Sequence, residues 1–386
     1  MPRSSPRTSR APSHVPAARD FEVFRAGPIR IVYEHRPGPL TGIVLAVRSG
    51  SRFDAAHPGI AHLAEHMLFQ GTRVLDHSAI NRRAAELGGE HDAYTGYEEL
   101  NLTFQVRTPD VEEAIALLAE QAIGSTVPKD RLENERQVVA QEIRGHRDDA
   151  IGYLADETWA RFFADGLAHS PSGTLSSVRS IRAEEIRRFL AERIVGANLV
   201  LAVVGGVAAE DVRRIARREF ARMTPGRPRD ARGGPVARTG EVRFRRSGLS
   251  QLYVNMLLGA VPEPRSLVAL GMALEIVGTD PDGRLYHEVR ERRGLSYDLW
   301  ADLQGGAGWA VVAVGAVAER RAEARLRDAI ERVFREAADG GFTDEEVARA
   351  RRKLRYRYAR LTEAKLDRAA SHASSVLYGA PPLAQA

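Results

Sequence analysis

The 386-residue chain has no cysteine, which excludes a disulfide framework and any thiolate metal site. A bound metal would have to rely on histidine and carboxylate ligands, which confines the search to eleven histidines. It also lacks any apolar run near the roughly 18 residues that a membrane helix needs. Lysine is scarce: Lys129, Lys353 and Lys365 stand alone among 56 basic residues, an arginine bias that fits GC-rich coding and a bacterial, cytoplasmic protein. The net charge of +5 raises the question of nucleic acid, but the basic residues lie in helices that also carry acids, as in RLENERQVVAQEIR, so neither nucleic acid nor membrane is expected as a partner. Residues 1–19 have neither acids nor an apolar core; they read as a disordered tail rather than a secretion signal, an Arg-rich mitochondrial presequence being the alternative.

What is present is the balance of a globular protein, 44% hydrophobic and 28% charged, in a chain long enough for two domains. The segments IRIVYEH and GIVLAVRSG read as strands, followed by a helix from about Pro58. A strand pair is expected in EHDAYTGYEELNLTFQVR, helices over 110–123, 128–148 and 182–193, a strand at NLVLAVVGG and a helix from Ala209 to Phe220. The stretch TPGRPRDARGGPVARTG, rich in Pro, Gly and Arg, reads as a linker over 223–241, and EVRFRR as strand-like. This places one domain at 20–222 and another at 242–386.

The second domain reads as a degenerate repeat of the first. IAHLAEHMLFQGT (60–72) aligns without gaps on LVALGMALEIVGT (267–279), so that His62 faces Ala269, Glu65 faces Met272 and His66 faces Ala273. The helix VPKDRLENERQVVAQE has its counterpart in FTDEEVARARRKLRYR, where Ala350 and Arg357 stand opposite Glu135 and Glu142. The scaffold is repeated and the chemistry is not. The first half runs about eighty residues beyond Glu142, so a chain ending at Ala386 is expected to lack the last helix and closing strand of the second domain.

Residues four apart share a helix face, so His62 and His66 can present two imidazoles to one ion. Glu65 beside them can take a proton from an attacking water and pass it on to a leaving amine. The order H-x-x-E-H is that of the inverzincins. The same five residues also fit two histidines on an ordinary amphipathic helix. Catalytic zinc takes a third protein ligand, for which Glu142 is the best candidate; Glu135, seven residues earlier on the same helix face, would orient the ligands by hydrogen bonds. Both glutamates equally fit a solvated salt-bridge face. Phe69 reads either as a substrate subsite or as core.

Taken with GSRFD, GIAHLAEHMLFQGT, ENERQVVAQE, NLVLAVVGGV and LYHEVRERRGLSY, the chain over about residues 22 to 380 resembles the pitrilysin family of zinc peptidases, which includes insulin-degrading enzyme and the mitochondrial processing peptidases. The resemblance implies an α+β fold of two homologous α/β domains, each a largely antiparallel sheet covered by helices, the C-terminal one shortened here. It implies one Zn2+ per chain on His62, His66 and Glu142, Glu65 as base with Glu135 in support, and Arg290 and Tyr297 as a substrate-binding pair. The family's edge strand usually reads Asn-Ala-x-Thr, where this chain has Asp92-Ala93-Tyr94-Thr95; substrate backbone can still add to it, because strand addition uses main-chain groups. The expected activity is that of an endopeptidase or processing peptidase for extended peptides, working as a homodimer or with a related subunit. Two other readings are a structural or binding subunit with little activity and a metal-binding protein that does not hydrolyse peptides.

Overall fold

The computed structural model describes residues 21–228, 236–260 and 264–379. The tail read at 1–19 and residues 229–235 of the linker lie outside them.

The first half builds a six-stranded sheet in the order β1-β2-β6-β3-β5-β4, from β1 (Phe21–Ala26), β2 (Ile29–His35), β3 (Leu40–Arg48), β4 (Glu90–Thr95), β5 (Glu99–Arg107) and β6 (Leu199–Gly205). Only the β2–β6 pairing is parallel. Helices α1 (Ile60–Leu68), α2 (His77–Leu87), α3 (Val111–Gly124), α4 (Lys129–Asp148), α5 (Ala150–Phe162), α6 (Leu175–Ser180), α7 (Ala183–Arg193) and α8 (Ala209–Glu219) punctuate it. Strand β6, LVLAVVG, is apolar throughout because both its faces are covered. Leu199, Leu201 and Val203 enter the core with α1, α3, α4, α7 and α8, while Val200, Ala202 and Val204 enter a second cluster on the opposite face.

The second half contains β7 (Leu252–Ala260), α9 (Pro264–Val277), an irregular helical turn at Tyr286–Arg292, β8 (Ser296–Gly306), β9 (Trp309–Ala318), α10 (Glu323–Gly340), α11 (Asp344–Leu361) and α12 (Lys365–Leu377). Its sheet order β7-β9-β8, antiparallel throughout, repeats β3-β5-β4, and the element order from β7 to α11 repeats that from β3 to α4. The repeat read from the sequence is therefore present as architecture. EVRFRR is not a strand: residues 240–246 carry no strand pairing. The reason lies in the first sheet, where β2 pairs with β1 and β6 but not with β3. Among the described residues the second sheet has no counterpart of β6, and EVRFRR has no ladder to join.

Each half lends a helix to the other. After α4 the chain sends α5 across to the second sheet, where Trp159 and Phe163 pack on Trp309 and Val311. After α11 it sends α12 back to the first sheet, where Ala369, Ala373, Val376 and Leu377 pack on Val32, Val44, Ala46 and the outward face of β6. The small residues of α12 allow a close approach, and so does Gly42 in β3: a Cβ there would lie 2.6 Å from the backbone nitrogen of Leu366. Polar pairing fixes the register. Glu34, on the same face of β2 as Val32, is 3% exposed; it accepts a hydrogen bond from the Arg368 guanidinium and pairs with His372 Nε2 at 2.7 Å.

Burial by itself would raise the pKa of Glu34, but the hydrogen bonds from His372 and Arg368 outweigh it and hold the carboxyl below its ordinary 4.5. A carboxylate whose folded pKa is depressed contributes stability above its unfolded pKa, and that contribution is lost as pH falls through the folded pKa. Below about pH 4.5 the wild type should therefore lose stability faster than Glu34→Gln, which should already be weaker at pH 7 by roughly 3 kcal/mol through the buried arginine left unpaired. Denaturant melts of both proteins across the acid range check this; parallel pH profiles would remove Glu34 from the acid response.

Candidate functional site

The site lies where α1 crosses α4. Helix α1 is held from its first turn: its N-cap position is Gly59, which has no side chain, and the missing cap is supplied by Asp54 from the preceding loop, which accepts from Gly59 N at 2.5 Å and Ala61 N at 3.1 Å. Leu63 and Met67 on one face of α1 are fully buried in the same cluster as Leu132, Val139 and Ile143 of α4. This packing turns His62 and His66 toward the glutamates of α4.

His62 Nε2 lies 3.8 Å and His66 Nε2 3.7 Å from Glu142 Oε2, and ligand atoms of the three side chains all fall within 4.8 Å of one another. Tetrahedral zinc with bonds near 2.0–2.1 Å would hold its ligand atoms about 3.3 Å apart, so the Glu142 oxygen lies within about 0.5 Å of that spacing from each imidazole. His66 turns its other nitrogen, Nδ1, to Glu135 Oε2 at 3.0 Å. Donation from Nδ1 to that carboxylate leaves Nε2 with its lone pair toward Glu142, the arrangement typical of a metal-ligating imidazole. Glu135 is buried and Glu142 is exposed.

The electrostatics separate the two imidazoles. Burial, with a contribution from His66, pulls His62 down to about 4, which keeps it neutral at physiological pH. Burial also opposes charge on His66, but Glu135, Glu142 and Glu65 overcome it and raise the pKa. Glu65 is 8% exposed; burial raises its pKa, with the hydrogen bond from Thr95 and the proximity of His66 acting against that. Thr95 Oγ1, at the end of β4, donates to Glu65 Oε2. This link had no reading in the sequence beyond the DAYT segment itself, since it joins a strand end to a helix thirty positions away.

Strand β4 is the outermost strand of its sheet, paired only with β5, so its second edge is open to an added strand. Asp92 and Ala93 lie on it, and Asp92 Oδ1 accepts from Ala93 N at 2.8 Å. Phe69 caps the end of α1, is partly buried against the main core and has its ring 5.0 Å from that of His91. Arg290 and Tyr297 come together in the second half, the guanidinium 4.7 Å from the ring centroid. Tyr297 is 82% exposed because it sits in a β-bulge, where the register slips between Ser296 and Asp298 and the side chain is turned outward. Among the described residues no hydrogen bond or ion pair joins Arg290 or Tyr297 to His62, Glu65, His66 or Glu142. The structure thus brings together His62, Glu65, His66, Glu135 and Glu142, while Arg290, half-buried, and Tyr297, exposed, pair with one another. No helix among the described residues is long and apolar enough to cross a membrane.

Comparison with known proteins bears on the family of the chain. Residues 30–162 match the family model described as Insulinase (Peptidase family M16), and residues 180–354 that described as Peptidase M16 inactive domain. An uncharacterized zinc protease of Mycobacterium leprae is 30% identical over 357 residues, 88% of this chain and 79% of its own. A probable mitochondrial-processing peptidase subunit beta of Arabidopsis thaliana is 27% identical over 183 residues, 46% of this chain and 34% of its own. In fold, a peptidase M16 inactive domain structure from Pseudomonas fluorescens superposes with a TM-score of 0.84 at 21% identity, covering 94% of this chain and 88% of that one. The chain belongs to peptidase family M16.

Proposed function

We propose that this protein is a zinc-dependent endopeptidase or processing peptidase acting on extended peptides. The observation that carries the reading is the convergence of His62, His66 and Glu142 with the buried Glu65 alongside them. Zinc held by those three side chains would supply a Lewis acid for the scissile carbonyl and make a water more acidic. Glu65 takes the proton of the attacking water and returns it to the leaving amine, a role for which a carboxyl raised by burial is suited. Glu135 fixes the His66 ring through Nδ1. A substrate backbone pairs with the open edge of β4 near Asp92 and Ala93, with Phe69 as a wall beside it. Arg290 and Tyr297 offer a cation and a phenol to a developing oxyanion. Zinc proteases among the relatives support the metal and the reaction class.

The exposure of Tyr297, and the lack of an ion-pair partner for Arg290 among the described residues, support a pair that meets its site across a subunit boundary. In a homodimer each zinc-bearing half would face the other chain's Arg290 and Tyr297, giving two shared sites; a related subunit could replace one copy.

Glu65→Gln should retain zinc and lose turnover by about 10²–10⁴-fold, since an amide keeps the shape and cannot accept the proton. Metal analysis and peptide cleavage on one preparation test this, and near-normal cleavage would remove Glu65 from the mechanism.

Glu142→Gln should weaken zinc more than Glu135→Gln, whose loss should stay within about 10–100-fold as expected of a residue that supports a ligand. Chelator competition measures both, and the reverse order would exchange their roles.

Mixing inactive Glu65→Gln chains with inactive Arg290→Ala chains should restore cleavage, because one site of a mixed dimer is intact. If mixed dimers form, as light scattering and mass spectrometry can show, and cleavage stays absent, the shared-site arrangement fails.

A further inference from the structure

The turn that joins β4 to β5 is held from both halves of the molecule. On the first-half side, Ser51 N donates to Gly96 O at 3.2 Å and Arg52 N to Tyr97 O at 2.9 Å. This approach requires Gly50 to be bare, since a Cβ there would lie 2.6 Å from Gly96 O. The Tyr97 ring stacks on Trp159 of α5 with centroids 4.8 Å apart. On the second-half side, Glu98 accepts from the Arg52 guanidinium with one oxygen and from Ala307 N, in the β8–β9 turn, at 2.7 Å with the other. Arg52 reaches the same turn, with Nη1 3.5 Å from Ala307 O.

Glu98 and Arg52 are both buried, with side chains 6% and 4% exposed. Taking two charges out of water is unfavourable unless they are paired and hydrogen-bonded; here both oxygens of Glu98 accept, one from Arg52 and one from Ala307 N, which joins two turns from different halves. Such a pair holds a shape rather than adding much stability. The shape it holds ends at Thr95, the residue before Gly96, whose hydroxyl donates to Glu65.

We propose that Glu98 is a positioning residue for Glu65: by tying Arg52 to the β8–β9 turn it fixes the β4–β5 turn, and Thr95 thereby holds one oxygen of Glu65 while the other handles the proton. The second half then contributes to the base as well as to substrate contact. This rests on the reading of Glu65 as the base.

The test uses the full zinc-loaded chain, a fluorogenic peptide library as substrate, and the variants Thr95→Val, Thr95→Ser, Glu98→Gln and Thr95→Val with Glu98→Gln. Thr95→Val and Glu98→Gln should each lower kcat by about 10–100-fold with KM and zinc content near wild type, the scale expected for a small misplacement of a catalytic group. Thr95→Ser should recover most of the loss. The double variant should be no slower than Thr95→Val alone, because Glu98 acts through Thr95. Amide exchange over residues 93–98 should rise in Glu98→Gln and stay unchanged in Thr95→Val. If Glu98→Gln does not fold, Arg52→Lys, which keeps the charge and loses the forked geometry, carries the same comparison. Losses that multiply in the double variant, a Thr95→Ser protein as slow as Thr95→Val, or a folded Glu98→Gln protein with wild-type kcat would each overturn the proposal. A fully active Glu65→Gln protein would instead overturn the reading of the base; an inactive one beside a fully active Thr95→Val protein would overturn the relay alone.

Discussion

The contact between α1 and α4 is the constraint from which the rest of the site follows. His62 and His66 project from one face of a nine-residue helix, and a face of that size can turn toward solvent, core or a neighbouring helix. Leu63 and Met67 settle the matter by occupying the core with Leu132, Val139 and Ile143, which leaves the imidazoles pointing at Glu135 and Glu142. Because Glu135 and Glu142 stand seven residues apart on α4, one meets the outer nitrogen of His66 while the other reaches both inner nitrogens. Apolar packing thereby positions polar chemistry, and the direction of each carboxylate is a by-product of where the leucines went.

The two halves are interlocked rather than strung together. Helices α5 and α12 occupy equivalent places after α4 and α11, and each covers the sheet of the opposite half. This explains why β3 and β6 are apolar on both faces although the helices nearest to them in the chain cover only one. It also explains the burial of Glu34: with α12 in place its carboxylate has no access to water and must find its partners on that helix. The hydrogen bonds from Arg368 and His372 are the polar counterpart of the apolar fit, and they set a single register for a helix whose small apolar face would otherwise slide.

Duplication of the scaffold without duplication of the chemistry has a visible consequence at α9 and α11. Where α4 carries Glu142, α11 carries Arg357, which pairs with Glu275 of α9 at 2.7 Å, and Lys353 one turn earlier reaches Glu275 at 2.9 Å and Asp282 at 2.7 Å. The crossing of the two helices is kept, and an ion-pair network joins them in the half that lacks the histidine pair. The β8–β9 turn of this half, meanwhile, meets the Arg52–Glu98 pair, so the half without the histidine pair still touches the frame of the half that has it.

Local chemistry was legible in the residues themselves. Periodicity located β2, β3, β6, α3, α4 and α7 to within a few positions, and the i, i+4 histidines with Glu65 between them marked the helix of the candidate site, because helix geometry alone decides which side chains share a face. The offset from Glu135 to Glu142 marked a second helix face in the same way. Pairings between distant segments were not legible. That EVRFRR forms no strand depends on a missing ladder partner, and the crossing of α12 to the first sheet depends on Gly42 and a stripe of alanines meeting a surface more than 300 residues away in the chain. Thr95 meets Glu65, and Glu98 meets Ala307, only because two sheets and two loops end at the same place. Sequence by itself determined which residues could do chemistry and on which helix face they stand; tertiary structure decided which of them meet, because hydrogen bonds and side-chain packing act over a few ångströms of space whatever their separation along the chain.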